Sequence, residues 1–170
     1  IADRVSVPII TYNVPSRTGV NIKPETYAEL AKVDNIVATK EANGDLSSIV
    51  KTINLCGDNL DVYSGNDDQI VPIMALGGKG VISVLSNVAP KETVELCDYM
   101  LNGDYKKAAE MQISYSPLID ALFSEVNPIP VKEAMNEMGM NVGPLRLPLV
   151  PMQNSTKLNL VDCLKKFNLL

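Results

Sequence analysis

The stretch from Thr11 to Asp45 centres on a lysine placed to do covalent chemistry. Lys40 ends the apolar run Ile36-Val37-Ala38-Thr39 and is followed at once by the turn-like Ala42-Asn43-Gly44-Asp45. Along a strand, alternate side chains share a face, so Lys40 groups with Ala38 and Ala42 while Thr39 and Glu41 point the other way. Small neighbours leave room for a ligand beside the amine. Such a lysine adds to a ketone or aldehyde as a Schiff-base nucleophile once it is neutral. With an ordinary pKa of about 10.4, only about one lysine in a thousand is neutral near pH 7.4, and a shift of about three units corresponds to about 4 kcal/mol. Desolvation at the end of an apolar strand is the available means. Tyr12 offers a phenol to carry protons to and from the carbinolamine oxygen, and Arg17 offers a planar fork of donors to a substrate carboxylate.

The chain of 170 residues contains no histidine. Serine–histidine and cysteine–histidine nucleophile pairs are therefore excluded, as are zinc sites built on imidazole. Cys56, Cys97 and Cys163 are odd in number and far apart in helix-like patterns, which fits reduced structural thiols. A net charge of −5 with no basic run argues against a nucleic-acid partner. No apolar stretch approaches the roughly 20 residues that span a bilayer, and no signal-peptide pattern opens the chain, so no membrane partner and a cytoplasmic location are expected. Gly77-Gly78-Lys79-Gly80 lacks the remainder of a phosphate-binding loop and reads as a helix stop before a strand.

The elements that must position these groups follow a repeating order. Residues 7 to 13 read as a buried strand, and a helix beginning near Pro24 buries Tyr27, Leu30 and Ala31. Residues 36 to 42 form the second strand. Asp45 then caps a helix with Leu46, Ile49, Val50 and Ile53 at helical spacing, and Gly57 ends it. Leu60 to Ser64 and Gly80 to Val84 are the third and fourth strands, each followed by a helix. The first of these runs through Ile70, Ile73, Met74 and Leu76, and the second from Pro90 through Val94, Cys97 and Leu101 to Gly103. From Asp104 the pattern is helical only, with helices over Tyr105 to Tyr115, Leu118 to Phe123, Val131 to Met138 and Ser155 to Phe167.

Four strand-then-helix units predict an α/β fold with a parallel sheet over residues 1–103 and a helical domain over 104–170. Four units describe either an open sheet or the second half of a (β/α)8 barrel. In both, functional side chains gather at the carboxyl ends of the strands, where Tyr12, Lys40, Gly65 and Ile82-Ser83 lie.

Tyr12-Asn13-Val14-Pro15-Ser16-Arg17-Thr18-Gly19, followed by Lys40-Glu41-Ala42-Asn43-Gly44-Asp45, resembles the signature of the pyruvate-dependent class I aldolases, and within them the dihydrodipicolinate synthase family. Ser64-Gly65-Asn66-Asp67-Asp68, the segment from Gly77 to Val84, Asn127-Pro128-Ile129-Pro130-Val131-Lys132 and Leu145-Arg146-Leu147-Pro148 extend the likeness over nearly the whole chain. The resemblance implies the carboxyl-terminal half of a (β/α)8 TIM barrel followed by a helical domain, acting on pyruvate and aspartate 4-semialdehyde in lysine and diaminopimelate biosynthesis. By the same resemblance Lys40 forms the Schiff base and Tyr12 relays protons. Arg17 holds the carboxylate of the semialdehyde, and Ile82 lines the pyruvate site through its backbone. No metal or separate cofactor is implied, the covalent Schiff base on Lys40 serving instead. The implied partners are the amino-terminal half of the barrel and further copies of the chain in a homo-oligomer, a dimer or tetramer. The alternatives are another pyruvate aldolase resembling sialic acid lyase, and a non-catalytic half barrel that is inactive without its other half.

Overall fold

The computed structural model describes residues 1–170 and contains four parallel strands paired in sequence order: β1 (Ile9–Asn13), β2 (Ile36–Glu41), β3 (Asp61–Ser64) and β4 (Gly80–Val81). Neighbouring parallel strands need a crossover connection, which helices supply. The one-turn α1 (Pro15–Thr18) and α2 (Pro24–Leu30) follow β1; α3 (Leu46–Cys56) follows β2, α4 (Ile70–Ala75) follows β3, and α5 (Pro90–Leu101) follows β4. The register aligns Tyr12, Lys40, Tyr63 and Gly80 in one rung across the sheet, and Asn13, Glu41, Ser64 and Val81 in the next. Because side chains alternate, the two rungs face opposite sides.

Helices cover one of those sides. Val62 of β3 packs with Ile49 of α3 and Ile73 of α4, while Ile36 packs with Tyr27, Cys56 and Leu60. On the other side Ile10 and Tyr12 each remain 49% exposed, and Ile82 is 38% exposed. The caps are local. The Asp45 carboxylate accepts from the N–H groups of Ser47 and Ser48 at 2.9 and 3.2 Å, and Gly57 ends α3 with φ at +53°.

Several expectations shift. The first strand starts at Ile9 rather than residue 7, and Leu30 and Ala31 are only half-buried, leaving Tyr27 as the fully enclosed residue of α2. The fourth strand is two residues long instead of five, because the Asp67 carboxylate accepts from the N–H groups of Val84 and Leu85, both at 3.0 Å, and turns the chain into a 3-10 segment over Leu85–Asn87. Helix α5 has two apolar stripes, and the structure buries Thr93, Leu96 and Met100, not the expected one: Val94 and Leu101 stay 60% and 66% exposed. Leu96 and Met100 meet Ile70, Met74 and Ala108, so the stripe is chosen by its neighbours.

The carboxyl-terminal helices are α6 (Tyr105–Leu122), α7 (Ile129–Glu137) and α8 (Asn154–Lys166). Helix α6 runs unbroken through Pro117, where two helices were expected. Its second half buries Leu118, Ile119, Ala121 and Leu122 with Leu160 and Leu164 of α8 and with Leu85, Val88 and Ala89 beyond β4. This is the largest apolar cluster in the molecule, and it joins the helical part to the turn after β4. Gln112 adds a polar tie by donating to the Asp67 carbonyl at 2.8 Å. Cys56 and Cys163 are buried, Cys97 is half-buried, and all three are free thiols. No helix is long and apolar enough to cross a membrane.

Candidate active site

Lys40 and Tyr12 are register partners at the carboxyl ends of β2 and β1, on the side of the sheet that no helix covers. The lysine Nζ lies 4.3 Å from the centroid of the Tyr12 ring, within reach of a cation–π contact. Lys40 is half-buried, and that burial holds its pKa below the ordinary lysine value; the Asp67 charge pulls it back up, and Arg17 pushes it down again. A lowered pKa enlarges the neutral fraction of the amine, the form able to add to a carbonyl, and a phenol beside it is a group able to exchange protons.

One residue further along each strand, the side chains point into the helix layer. Asn13 and Glu41 are 1% and 3% exposed. The Asn13 amide donates to both Glu41 carboxylate oxygens, at 2.9 and 3.1 Å; the Tyr27 hydroxyl donates to Oε2 at 2.9 Å and the Asn43 N–H to Oε1 at 2.9 Å. Burial raises the Glu41 pKa, and these donors oppose the rise. The carboxylate predicted to face away from Lys40 does so.

Arg17 sits on α1, a single turn that Pro15 opens and Gly19 closes with φ at +70°. With Ser16 it lines a cavity of about 430 Å³ whose far wall is the link from α6 to α7, including Phe123, Ser124 and Asn127. Arg17 therefore reaches toward the helical part, and Lys40 feels its charge. Ile82 lies just past β4 and donates its N–H to the Ser64 carbonyl at 2.9 Å, two strands away from Lys40. Gly65 is a packing requirement: a Cβ there would lie 2.7 Å from that of Ala42 and 3.0 Å from the Glu41 carbonyl oxygen.

Three residues at the site escaped the sequence reading. Tyr63 stands in the same rung as Lys40, and its ring would be 3.8 Å from a Cβ placed on Gly80. The place of Tyr63 at a strand end just before Gly65 parallels that of Lys40 before Ala42-Asn43-Gly44 and is the signal that marks it in the sequence. Asp67 is 1% exposed, its pKa raised first by burial, and it faces the Lys40 charge. Nothing local marks it for burial. Asn13 lay inside the motif but carried no assigned role.

The sequence profile of the dihydrodipicolinate synthetase family matches residues 1–167. The chain is 57% identical over 157 residues to the 4-hydroxy-tetrahydrodipicolinate synthase of Caldicellulosiruptor bescii, an overlap of 92% of this chain and 53% of that one. It is 54% identical over 171 residues to the synthase of Thermoanaerobacter pseudethanolicus, covering 100% of this chain and 58% of that one. The crystal structure of dihydrodipicolinate synthase from Thermotoga maritima superposes with a TM-score of 0.97 at 47% identity, over 100% of this chain and 59% of that one. The Acinetobacter baumannii synthase complexed with pyruvate superposes with a TM-score of 0.95 at 38% identity, over 99% and 58%. The four strands and their helices match part of the barrel of those enzymes, and the chain spans little more than half the length of the relatives it matches.

Proposed function

The chain belongs to the dihydrodipicolinate synthetase family, and from that premise we propose that Lys40 is the Schiff-base lysine of a 4-hydroxy-tetrahydrodipicolinate synthase. The substrates of this reading are pyruvate and aspartate 4-semialdehyde, in the cytoplasmic route to diaminopimelate and lysine. The neutral Lys40 amine attacks the keto carbon of pyruvate. Tyr12 gives a proton to the carbinolamine oxygen, which leaves as water when the imine forms. Loss of a methyl proton turns the imine into an enamine, whose carbon attacks the aldehyde. The amino group of the condensed product then adds to the imine carbon and displaces Lys40 as the ring closes. Arg17 holds the carboxylate of the semialdehyde through its paired donors, and the Ile82 backbone lines the pyruvate site. The chemistry runs through the covalent lysine and calls for no other cofactor.

A single observation carries this reading: Lys40 Nζ stacked 4.3 Å from the Tyr12 ring, at register-paired strand ends, with its pKa held down by burial. The same reading divides the chain into a sheet part, residues 1–103, bearing Lys40, Tyr12, Arg17 and Ile82, and a helical part, 104–170. It also assigns four further strands to close the barrel over the uncovered side, within a homo-oligomer.

Borohydride reduction in the presence of pyruvate, followed by intact mass and peptide mapping, tests the assignment. A reduced pyruvate adduct is expected on the peptide containing Lys40 and absent from Lys40→Ala. Adduct on another lysine, or none in a folded complete barrel, overturns it.

A further inference from the structure

On the basis of that Schiff-base reading, we propose that Glu41 is a positioning residue for Lys40 and Tyr12, acting from the opposite side of the sheet as a bracket that fixes the ends of β1 and β2 to each other and to the turns that follow them.

The bracket is built from neighbours of the reactive pair. Asn13 and Glu41 form the rung next to Tyr12 and Lys40, so any shift of one strand end against the other moves both pairs together. The backbone ladder ends here: after the Ala42 N–H donates to the Asn13 carbonyl at 2.9 Å, β1 passes into the α1 turn and β2 into the segment Ala42–Asp45. Glu41 strengthens the junction with donors from three elements: the Asn13 amide of β1, the Tyr27 hydroxyl of α2 and the Asn43 N–H of the turn after β2. Thr39 completes the chain by donating to the Tyr27 oxygen at 3.1 Å, and Thr39 and Tyr27 are both fully buried. Every partner of the carboxylate is a hydrogen-bond donor, and charge-assisted bonds of this type are about twice as strong as neutral ones.

Asn13 extends the bracket to the segment that carries Arg17. Its amide also donates to Asn21 Oδ1 at 2.8 Å, and its own oxygen accepts from the Ile22 N–H at 3.1 Å. One carboxylate thus sets the relative placement of three groups: Tyr12, Lys40 and the returning arm of the Arg17 loop. Reacting groups that must be held within about 0.5 Å depend on supporting hydrogen bonds of this kind.

The geometry also supplies a discriminating substitution. Asn13 Nδ2 lies within hydrogen-bond distance of both Glu41 oxygens, so either placement of the amide in Glu41→Gln sets donor against donor. Turning the Asn13 amide over to relieve this would break its bonds to Asn21 and Ile22. Glu41→Gln keeps the size of the side chain, removes its charge and turns one of its two acceptors into a donor, so the bracket is weakened and no longer charge-assisted. Should that variant fail to fold, Asn13→Ser cuts the same link from the β1 side.

Two readouts separate positioning from bulk stability. The first is the proton shift of the Lys40 ε-methylene in a chain labelled with 13C-lysine, its resonance identified by loss in Lys40→Met; the Tyr12 ring displaces it from the free-lysine value. The second is the rate of borohydride trapping of pyruvate on Lys40 in the complete barrel. In a folded variant the ring-induced displacement is expected to collapse toward the free-lysine value, and trapping to slow by about tenfold or more, the scale of effect that small misplacements produce. A folded variant with the Lys40 resonance unmoved and trapping within about twofold of the parent overturns the proposal. If the parent itself traps no pyruvate, the Schiff-base reading falls, and the Lys40 resonance alone decides whether Glu41 fixes the pair.

Discussion

Lys40 is held between opposing influences, and their balance has a measurable sign. Burial and the Arg17 charge disfavour the ammonium form, while Asp67 and the face of the Tyr12 ring favour it; burial is the largest, and the pKa falls. In the unfolded chain Lys40 takes up its proton near pH 10.5, whereas the folded chain takes it up only at lower pH. Within that window the unfolded state holds more protons, so Lys40 costs the fold stability progressively as pH falls through it, and the full cost persists below it. Lys40→Met, similar in length and uncharged, is expected to unfold at a higher temperature than the parent near neutral pH. The advantage should shrink as pH rises toward 10.5, where both states of the parent lose the proton. Thermal unfolding followed by circular dichroism across that range checks this, and an advantage independent of pH would contradict it.

At the scale of elements, α6 illustrates how packing overrides a local break. Pro117 has no N–H to give the Ile113 carbonyl, but Ile113, at 71% exposed, lies on the solvent side of the helix. Beyond the proline, Leu118, Ile119 and Leu122 are buried in the largest core. At about 1.5–3 kcal/mol per buried side chain, these together exceed the roughly 3 kcal/mol that an interior proline costs. Pro117→Ala is expected to restore the missing bond and raise stability by about 1–3 kcal/mol, read as a higher urea midpoint with an unchanged slope. A lower midpoint would mean that the proline is doing something other than interrupting the helix. The fold of α5 carries the same lesson in another form: of its two apolar stripes, the one meeting α4 and α6 is buried.

The whole molecule is asymmetric about its sheet. Helices close one side, while Ile10, Tyr12 and Ile82 remain accessible on the other, and β1 and β4 each have one unpaired edge. Unpaired edges and an open apolar face promote association. A polypeptide of these 170 residues expressed by itself is therefore expected to self-associate with rising concentration and to turn over substrate far more slowly than a complete barrel. Sedimentation velocity over a concentration series, with an activity assay on the same samples, checks both. A stable monomer with the specific activity of a full-length synthase would show that the open side needs no cover.

Much of the site was legible without coordinates because it depends on nearest neighbours in the chain. Alternation along Ile36-Val37-Ala38-Thr39 sent Lys40 and Glu41 to opposite sides, Asp45 supplied a cap through its own carboxylate, and Gly57 stopped α3 by adopting a positive φ. The βα repeat set the fold class in the same local way. Tertiary structure alone decided the rest, where two surfaces distant in sequence must meet. It aligned Tyr63 with Lys40 through strand register and shortened β4 by bringing the Asp67 carboxylate to the N–H groups of Val84 and Leu85. It chose the buried stripe of α5 and carried α6 across Pro117, since only the partner surface determines which apolar groups leave water.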